Sequence, residues 1–309
     1  MTRLVTSAGL TLARQYLTQP DKFWGAAGDR QIRKLTAMKR GRLAEGLSDA
    51  DVVDELLAVA QLRTRHAPPP ICLANIGSSG SHWLEAMLGR CAPIVSCGEV
   101  YLPNPLLQAL RPLTASERSF FLHALYAAHS GLRGDALMGG AFVNSAHYSR
   151  ASRLAGLVDG TRTVLLVRNP IDVVLSRTWR KQEYRDDVAP GESDADYLER
   201  NCVLVERFYA EANAEPFDLR VRYEDLIGNP RAALSNLLSG LGLPADPNAI
   251  DAAVAATDSN AAAAAVARGE KVPTNIYMGR ADEPEQALLA QVRTRLAACA
   301  SSLGYDARE

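Results

Sequence analysis

Residues 162–168, RTVLLVR, carry an apolar stretch with no alternation of polar and apolar positions. A strand covered on both faces has that pattern, as in the middle of a parallel sheet. Four further runs read as strands: ICLANI from Ile71, PIVSCGEV, AFVNSA and FDLRVRY. Between and after them apolar residues recur at helical spacing, in HWLEAMLGR and over Ser116 to His129, Pro170 to Gln182, Ala195 to Asn213, Pro230 to Leu241 and Glu283 to Leu303. Strands alternating with helices define an α/β fold with a mostly parallel central sheet. The alanine-rich stretch from Asp251 to Ala267 is expected to be helical too. No internal repeat is visible.

Upstream the pattern is different. Residues 1 to 67 show no strand signal, and LSDADVVDELLAVAQLRTR reads as a helix with Ser48 at its N-cap, acids in its first turn and arginines in its last. Those charges complement the helix dipole. The run Ala67-Pro68-Pro69-Pro70 ends any helix before it and forms a stiff extended connector. The expected organisation is therefore a helical N-terminal segment, 1–67, and an α/β domain, 70–309.

Composition narrows the function classes. Lysine and arginine together number 34 against 35 aspartates and glutamates, a net charge of -1. No global basic excess is present to coat nucleic acid, so none is expected as a partner. Only five residues are lysines (Lys22, Lys34, Lys39, Lys181 and Lys271), which leaves 29 arginines. The five cysteines are odd in number and contain no C-x-x-C pair, so reduced thiols in a cytoplasmic protein are expected. The first residues begin like a signal peptide, but Arg14 and Gln15 interrupt the apolar stretch, which reads better as a short amphipathic helix with no stable membrane insertion. No set of His, Asp and Glu has metal-ligand spacing, so no metal is expected, and no G-x-S-x-G elbow suggests a serine hydrolase.

Two segments carry chemistry. The first is the turn Gly77-Ser78-Ser79-Gly80-Ser81 between a strand and a helix that opens with His82 and Trp83. Small residues let backbone N–H groups face inward, and the following helix N-terminus favours an anion. A tight strand-to-helix connection recruits the same residue types without any ligand. The turn lacks the GK[ST] ending of a nucleoside triphosphatase, and with it that lysine and magnesium ligand. The second segment, LLVRNPIDVVLSRTW, places Arg168 at a strand end, Pro170 at the first helical position and Ser176 two turns into the helix. Open α/β sheets bind ligands at that edge.

Together these segments resemble the sulfotransferases that use 3′-phosphoadenosine-5′-phosphosulfate (PAPS), the cytosolic and tyrosylprotein enzymes among them. The turn NIGSSGSHW is similar to the family's 5′-phosphosulfate loop, and Arg168, Pro170, Asp172 and Ser176 match every fixed position of its R-x-P-x-D-x-x-x-S segment, which binds the 3′-phosphate. VRYEDLIGNPRAALSNLLSGLGL resembles the family's Y-E-D-L segment, with Tyr223 at the adenine-contacting position, and the C-terminal LGY fits as well. The resemblance spans residues 71 to 305. It implies a P-loop-like three-layer fold, PAPS as co-substrate without a metal, and an acceptor bearing a free hydroxyl on a carbohydrate, lipid or small metabolite. It also implies a last phosphate contact from a loop near the C-terminus, here Arg268, Gly269 and Lys271, a loose match that an ordinary surface connection would also satisfy.

The departures are as informative as the matches. Ser78 stands where the family has a lysine or arginine that neutralises the leaving phosphosulfate, and Ser145 falls where many cytosolic members have a second lysine. Losing a preorganised charge stabiliser costs about 10²–10³ in rate. His82, His147, Arg150 and Arg268 are the candidate substitutes. Two residues qualify as the base. Glu99 in VSCGEVYLP resembles the C-G-E glutamate of tyrosylprotein sulfotransferases, and His147 in FVNSAHYSR resembles the K-T-H histidine of cytosolic ones. The flanking residues favour Glu99, which leaves His147 to supply positive charge; the reverse remains open. A nucleotide kinase, or a binding protein that kept the fold without catalysis, are the rival readings.

Overall fold

The computed structural model describes residues 7–24, 29–43, 45–147, 160–179, 189–268 and 286–306. All five expected strands form: β1 Ile71–Ala74, β2 Ile94–Gly98, β3 Ala141–Ala146, β4 Arg162–Val167 and β5 Leu219–Arg222. They make one parallel sheet in the order β2-β3-β1-β4-β5. Burial follows that order. The three inner strands are buried along almost their whole length, whereas β2 and β5 at the edges alternate. That is the physical origin of the unalternating apolar run in β4.

The helices are α1 Ser7–Thr18, α2 Asp21–Trp24, α3 Asp29–Leu43, α4 Asp49–His66, α5 Ser81–Cys91, α6 Asn104–Leu110, α7 Ala115–Ser130, α8 Pro170–Trp179, α9 Asp194–Asn213, α10 Tyr223–Gly228, α11 Pro230–Leu241, α12 Pro247–Ala256, α13 Ser259–Ala267 and α14 Gln286–Ser302. Helix α4 starts as expected, with Ser48 accepting from Asp51 N–H in a capping box. The alanine-rich stretch is helical as expected, in two segments. Helix α12 ends at Thr257, and the Asp258 carboxylate accepts from the N–H of Ala261 to open α13. Side-chain capping by an Asp at that point competes with helix continuation.

Two compact units divide the chain. The first comprises Met1–Leu73, Pro93–Ala146 and Ser152–Thr163, so the N-terminal helices cluster with the segment from Pro93 to Ala146. Helices α1, α3 and α4 pack on α7, which lies against β2 and β3. Gly9 permits the α1–α7 approach, since a Cβ there would sit 2.9 Å from the Glu117 Cβ. Strands β2 and β3 pair in parallel, and the register shifts between Ser96 and Gly98, a bulge at the end of β2. Arg63 is fully buried. It donates to the carbonyls of Leu137 and Gly140 and lies 3.7 Å over the Phe142 ring, so carbonyl dipoles and a π face offset its desolvation.

The second unit comprises Ala74–Ala92, His147–Ala151 and Val164–Glu309. Here α5 packs on α12, while α8 packs on α9 and α14. Strand β5 runs parallel to β4, with Val164 opposite Leu219 and Val167 opposite Arg222. All five cysteines are free thiols. Among the described residues no helix is long and apolar enough to cross a membrane.

His123 and His129 are both buried in α7. Burial, reinforced by the nearby Arg63 charge, pushes the His123 imidazole down to about 3. The folded state therefore keeps it neutral while the unfolded chain takes up a proton below the ordinary imidazole value near 6.5. Its contribution is intact above that value and is lost as pH falls from there towards 3, at up to about 1.4 kcal/mol per pH unit. In urea melts between pH 7 and 4, His123→Phe should lose stability less steeply than wild type; parallel slopes would show that His123 does not drive the acid loss.

Candidate functional site

The second unit gathers most of the expected site residues around the turn from Gly77 to Ser81. Strand β1 ends at Ala74 and α5 begins at Ser81, so six residues make the connection. Two of them have left-handed backbones, Ser78 with φ 73° and Gly80 with φ 90°. Gly80 has no alternative: a Cβ there would lie 2.5 Å from the Tyr223 ring. Ser78 adopts an unfavourable conformation for a residue with a side chain, the kind of strain that concentrates at functional turns. The hydroxyls of Ser78 and Ser79 are buried and have no hydrogen-bond partner among the described residues.

Arg168 reaches this turn from the end of β4. Its Nη1 donates to the Ser78 carbonyl at 2.8 Å, its guanidinium carbon lies 4.4 Å over the Tyr223 ring, and its buried Nε has no partner among the described residues. Its backbone is pinned as well. The Tyr209 hydroxyl donates to the Arg168 carbonyl at 3.0 Å and accepts from its N–H at 3.2 Å. Burial drives the Tyr209 phenol far above its ordinary range, so it stays protonated for that role. Next to it, the Asn169 N–H donates to Glu224, whose second oxygen accepts from the Tyr305 hydroxyl at 2.6 Å. The Y-E-D-L and LGY segments thus meet at one carboxylate.

Trp83 stands edge-on to Tyr223, ring centroids 5.9 Å apart, and its indole N–H donates to the Thr257 carbonyl that the end of α12 leaves available. Ser81 and Ser176 are buried, Ser176 on α8 two turns beyond Arg168. His82 is exposed, 3.7 Å from Glu85 one turn on.

Four residues are candidates for the missing turn cation. His147 is beside the turn: a Cβ on Gly77 would lie 2.9 Å from its Cε1 and Nε2. Arg268 is exposed at the end of α13, and Arg150, Gly269 and Lys271 lie outside the described residues. A residue that sequence reasoning passed over, Arg177, is as close as His147. Its Nη1 lies 2.9 Å from the same Gly77 Cβ position and donates to the Gly77 carbonyl at 3.3 Å. No local signal marks it, because its partners come from α9 and from the turn. Ser145 is buried in β3.

Glu99 belongs to the first unit, half-buried just past β2. Asn144, buried in β3, accepts from the Val100 N–H and donates to the Val100 carbonyl, both at 2.9 Å. That two-bond clamp holds the backbone directly after Glu99, and sequence gave no hint of it.

A turn of inward small residues with orphaned hydroxyls, flanked by guanidinium and imidazole groups, is suited to holding anionic oxygen. Residues 70–247 match the profile described as the Sulfotransferase family. The chain therefore belongs to the sulfotransferase family and is an enzyme of that family. Among solved structures it is similar to mouse sulfotransferase SULT7A1 complexed with PAP, at 15% identity over 81% of this chain and 93% of that one, with a TM-score of 0.45. It is also similar to sulfotransferase STF1 from Mycobacterium tuberculosis, at 13% identity over 96% and 100% of the two chains and a TM-score of 0.42. The sulfotransferase domain of the Synechococcus PCC 7002 olefin synthase gives 19% identity over 78% and 97%, with a TM-score of 0.39. A comparison with curated proteins finds no match.

Removing the Tyr209 hydroxyl would leave both backbone groups of Arg168 buried and unpaired. Tyr209→Phe should cost about 1–3 kcal/mol in urea unfolding. A loss below the error of the measurement would mean that the hydroxyl does not hold the arginine.

Proposed function

We propose that the protein transfers the sulfuryl group of PAPS to an acceptor hydroxyl by in-line displacement. The observation that carries this reading is a set of donors at and beside one turn, the Ser78 and Ser79 hydroxyls and Arg168 Nε, that have no partner among the described residues, in a chain of this family. Those residues fit a ligand rich in phosphate oxygens. In this reading the backbone amides from Gly77 to His82 hold the 5′-phosphosulfate. Arg168 and Ser176 take the 3′-phosphate, and Tyr223 with Trp83 borders the adenine. Arg268 is assigned a further phosphate contact. The co-substrate supplies the activated sulfur–oxygen bond, which breaks as the acceptor oxygen bonds to sulfur.

Glu99 is assigned the acceptor proton. A carboxylate is a competent base when desolvated, and the bulge in β2 and the Asn144 clamp fix its segment. His147 then lends positive charge beside Gly77. The reverse assignment, His147 as base, is favoured by the closeness of its ring to the turn.

Two measurements test the reading. With 3′,5′-adenosine bisphosphate at 100 times its dissociation constant, stability should rise by about 2.7 kcal/mol, with much less for ATP. Equal thermal shifts with ATP would indicate a kinase, and none with either would remove the nucleotide assignment. Glu99→Gln should lower turnover about 10²–10⁴-fold while leaving bisphosphate affinity nearly intact. Turnover within a few-fold of wild type would transfer the base role to His147.

A further inference from the structure

The sulfuryl-transfer reading, on which this inference rests, places only the His147 imidazole beside the leaving group, and an imidazole is not a permanent cation. As the sulfur–oxygen bond breaks, the bonding pair stays on the bridging oxygen and the 5′-phosphate gains negative charge. A cation fixed at that oxygen lowers the barrier, because the charge develops in the transition state and the cation need not reorganise. The turn itself supplies none: residues 75–83 read NIGSSGSHW, and its histidine, His82, is exposed beside Glu85.

We infer that Arg177 is the cation that binds the 5′-phosphate and neutralises the leaving group. Three observations carry this. Its Nη1 lies against Gly77, the first glycine of the turn, donating to that carbonyl at 3.3 Å. Gly77 is the position where a Cβ would fill the space that Arg177 and His147 share, each 2.9 Å away, so the glycine keeps that approach open. The guanidinium is also aimed by its surroundings. Arg177 Nε donates to Asn201 Oδ1 at 3.2 Å, and buried Asn201 is itself held by donating to Thr178 Oγ1 at 3.2 Å. The guanidinium is thus held at Nε on α9 while its Nη1 lies at the turn. Arg168 and Arg177 divide the nucleotide between them: Arg168 takes the 3′-phosphate and Arg177 the 5′-phosphate.

That division is testable by binding alone. Calorimetry would use 3′,5′-adenosine bisphosphate, adenosine 5′-monophosphate and adenosine 3′-monophosphate with wild type, Arg168→Ala, Arg177→Met and Arg177→Lys. Methionine keeps the stem of Arg177 and removes its charge; lysine restores charge without the fork. Arg177→Met should lose more than about tenfold in affinity for the bisphosphate and the 5′-monophosphate, with the 3′-monophosphate unchanged. Arg168→Ala should show the opposite pair of losses, and Arg177→Lys should recover part of the 5′-phosphate affinity. With PAPS as donor, turnover of Arg177→Met should fall by about 10²–10³, more than its binding loss. Wild-type affinity for the bisphosphate in Arg177→Met would overturn the inference. So would an equal loss for all three ligands, which would mark Arg177 as structural. Failure of wild type to bind the bisphosphate would instead overturn the sulfuryl-transfer reading, and the inference with it.

Discussion

The second unit depends on how the chain leaves β4. At Arg168 the sheet ladder stops and a helix starts two residues later at Pro170, which has no N–H to give. The backbone groups of Arg168 would be stranded in a buried place. The Tyr209 hydroxyl satisfies both, and the adjoining Asn169 N–H goes to Glu224. From that fixed backbone the arginine side chain lies across the Tyr223 ring and reaches the Ser78 carbonyl. The phosphate turn, the Y-E-D-L segment and Tyr305 are thereby organised around a single residue at a strand end.

The chain meets its need for positive charge with guanidinium, and it does so twice in the same way. Arg63 in the first unit and Arg168 in the second are each buried, each donate to backbone carbonyls and each lie over an aromatic ring. A carboxylate partner would neutralise the cation at the cost of desolvating a second ion. Carbonyl dipoles and a ring quadrupole stabilise the charge while leaving it uncancelled. At Arg63 the result is structural. At Arg168 it keeps a net positive group beside orphaned hydroxyls, where an anion can complete the set.

Much of this was legible in the sequence because it is local. The strand runs, the Ser48 cap, the turn and the arginine at a strand end each declare themselves within ten residues. Contacts between distant segments were not legible. Arg177 reaches Gly77 across 100 positions, Tyr209 reaches Arg168 across 41, and Asn144 clamps Val100 across 44. Nothing in the spelling of α8 distinguishes Arg177 from a solvated arginine, since its partners come from α9 and the turn. The break within the alanine-rich stretch was not legible for a related reason. Alanine carries helix propensity but no information about where a helix ends, and the Thr257-Asp258 break is set by one capping carboxylate.

The bulge at the end of β2 has a consequence for how this region can change over time. In a strand, faces are assigned by parity, and a bulge inserts one residue that resets the parity for everything after it. The two steps of β2 from Ser96 through Cys97 to Gly98 stand opposite a single step of β3, from Val143 to Asn144. Point substitutions there alter one side chain and leave the count intact. Loss or gain of a single codon would shift the phase of the chain entering Glu99 and Val100, and pull Val100 out of reach of Asn144. Insertions and deletions, rather than replacements, are the changes that this stretch of the gene is least able to absorb.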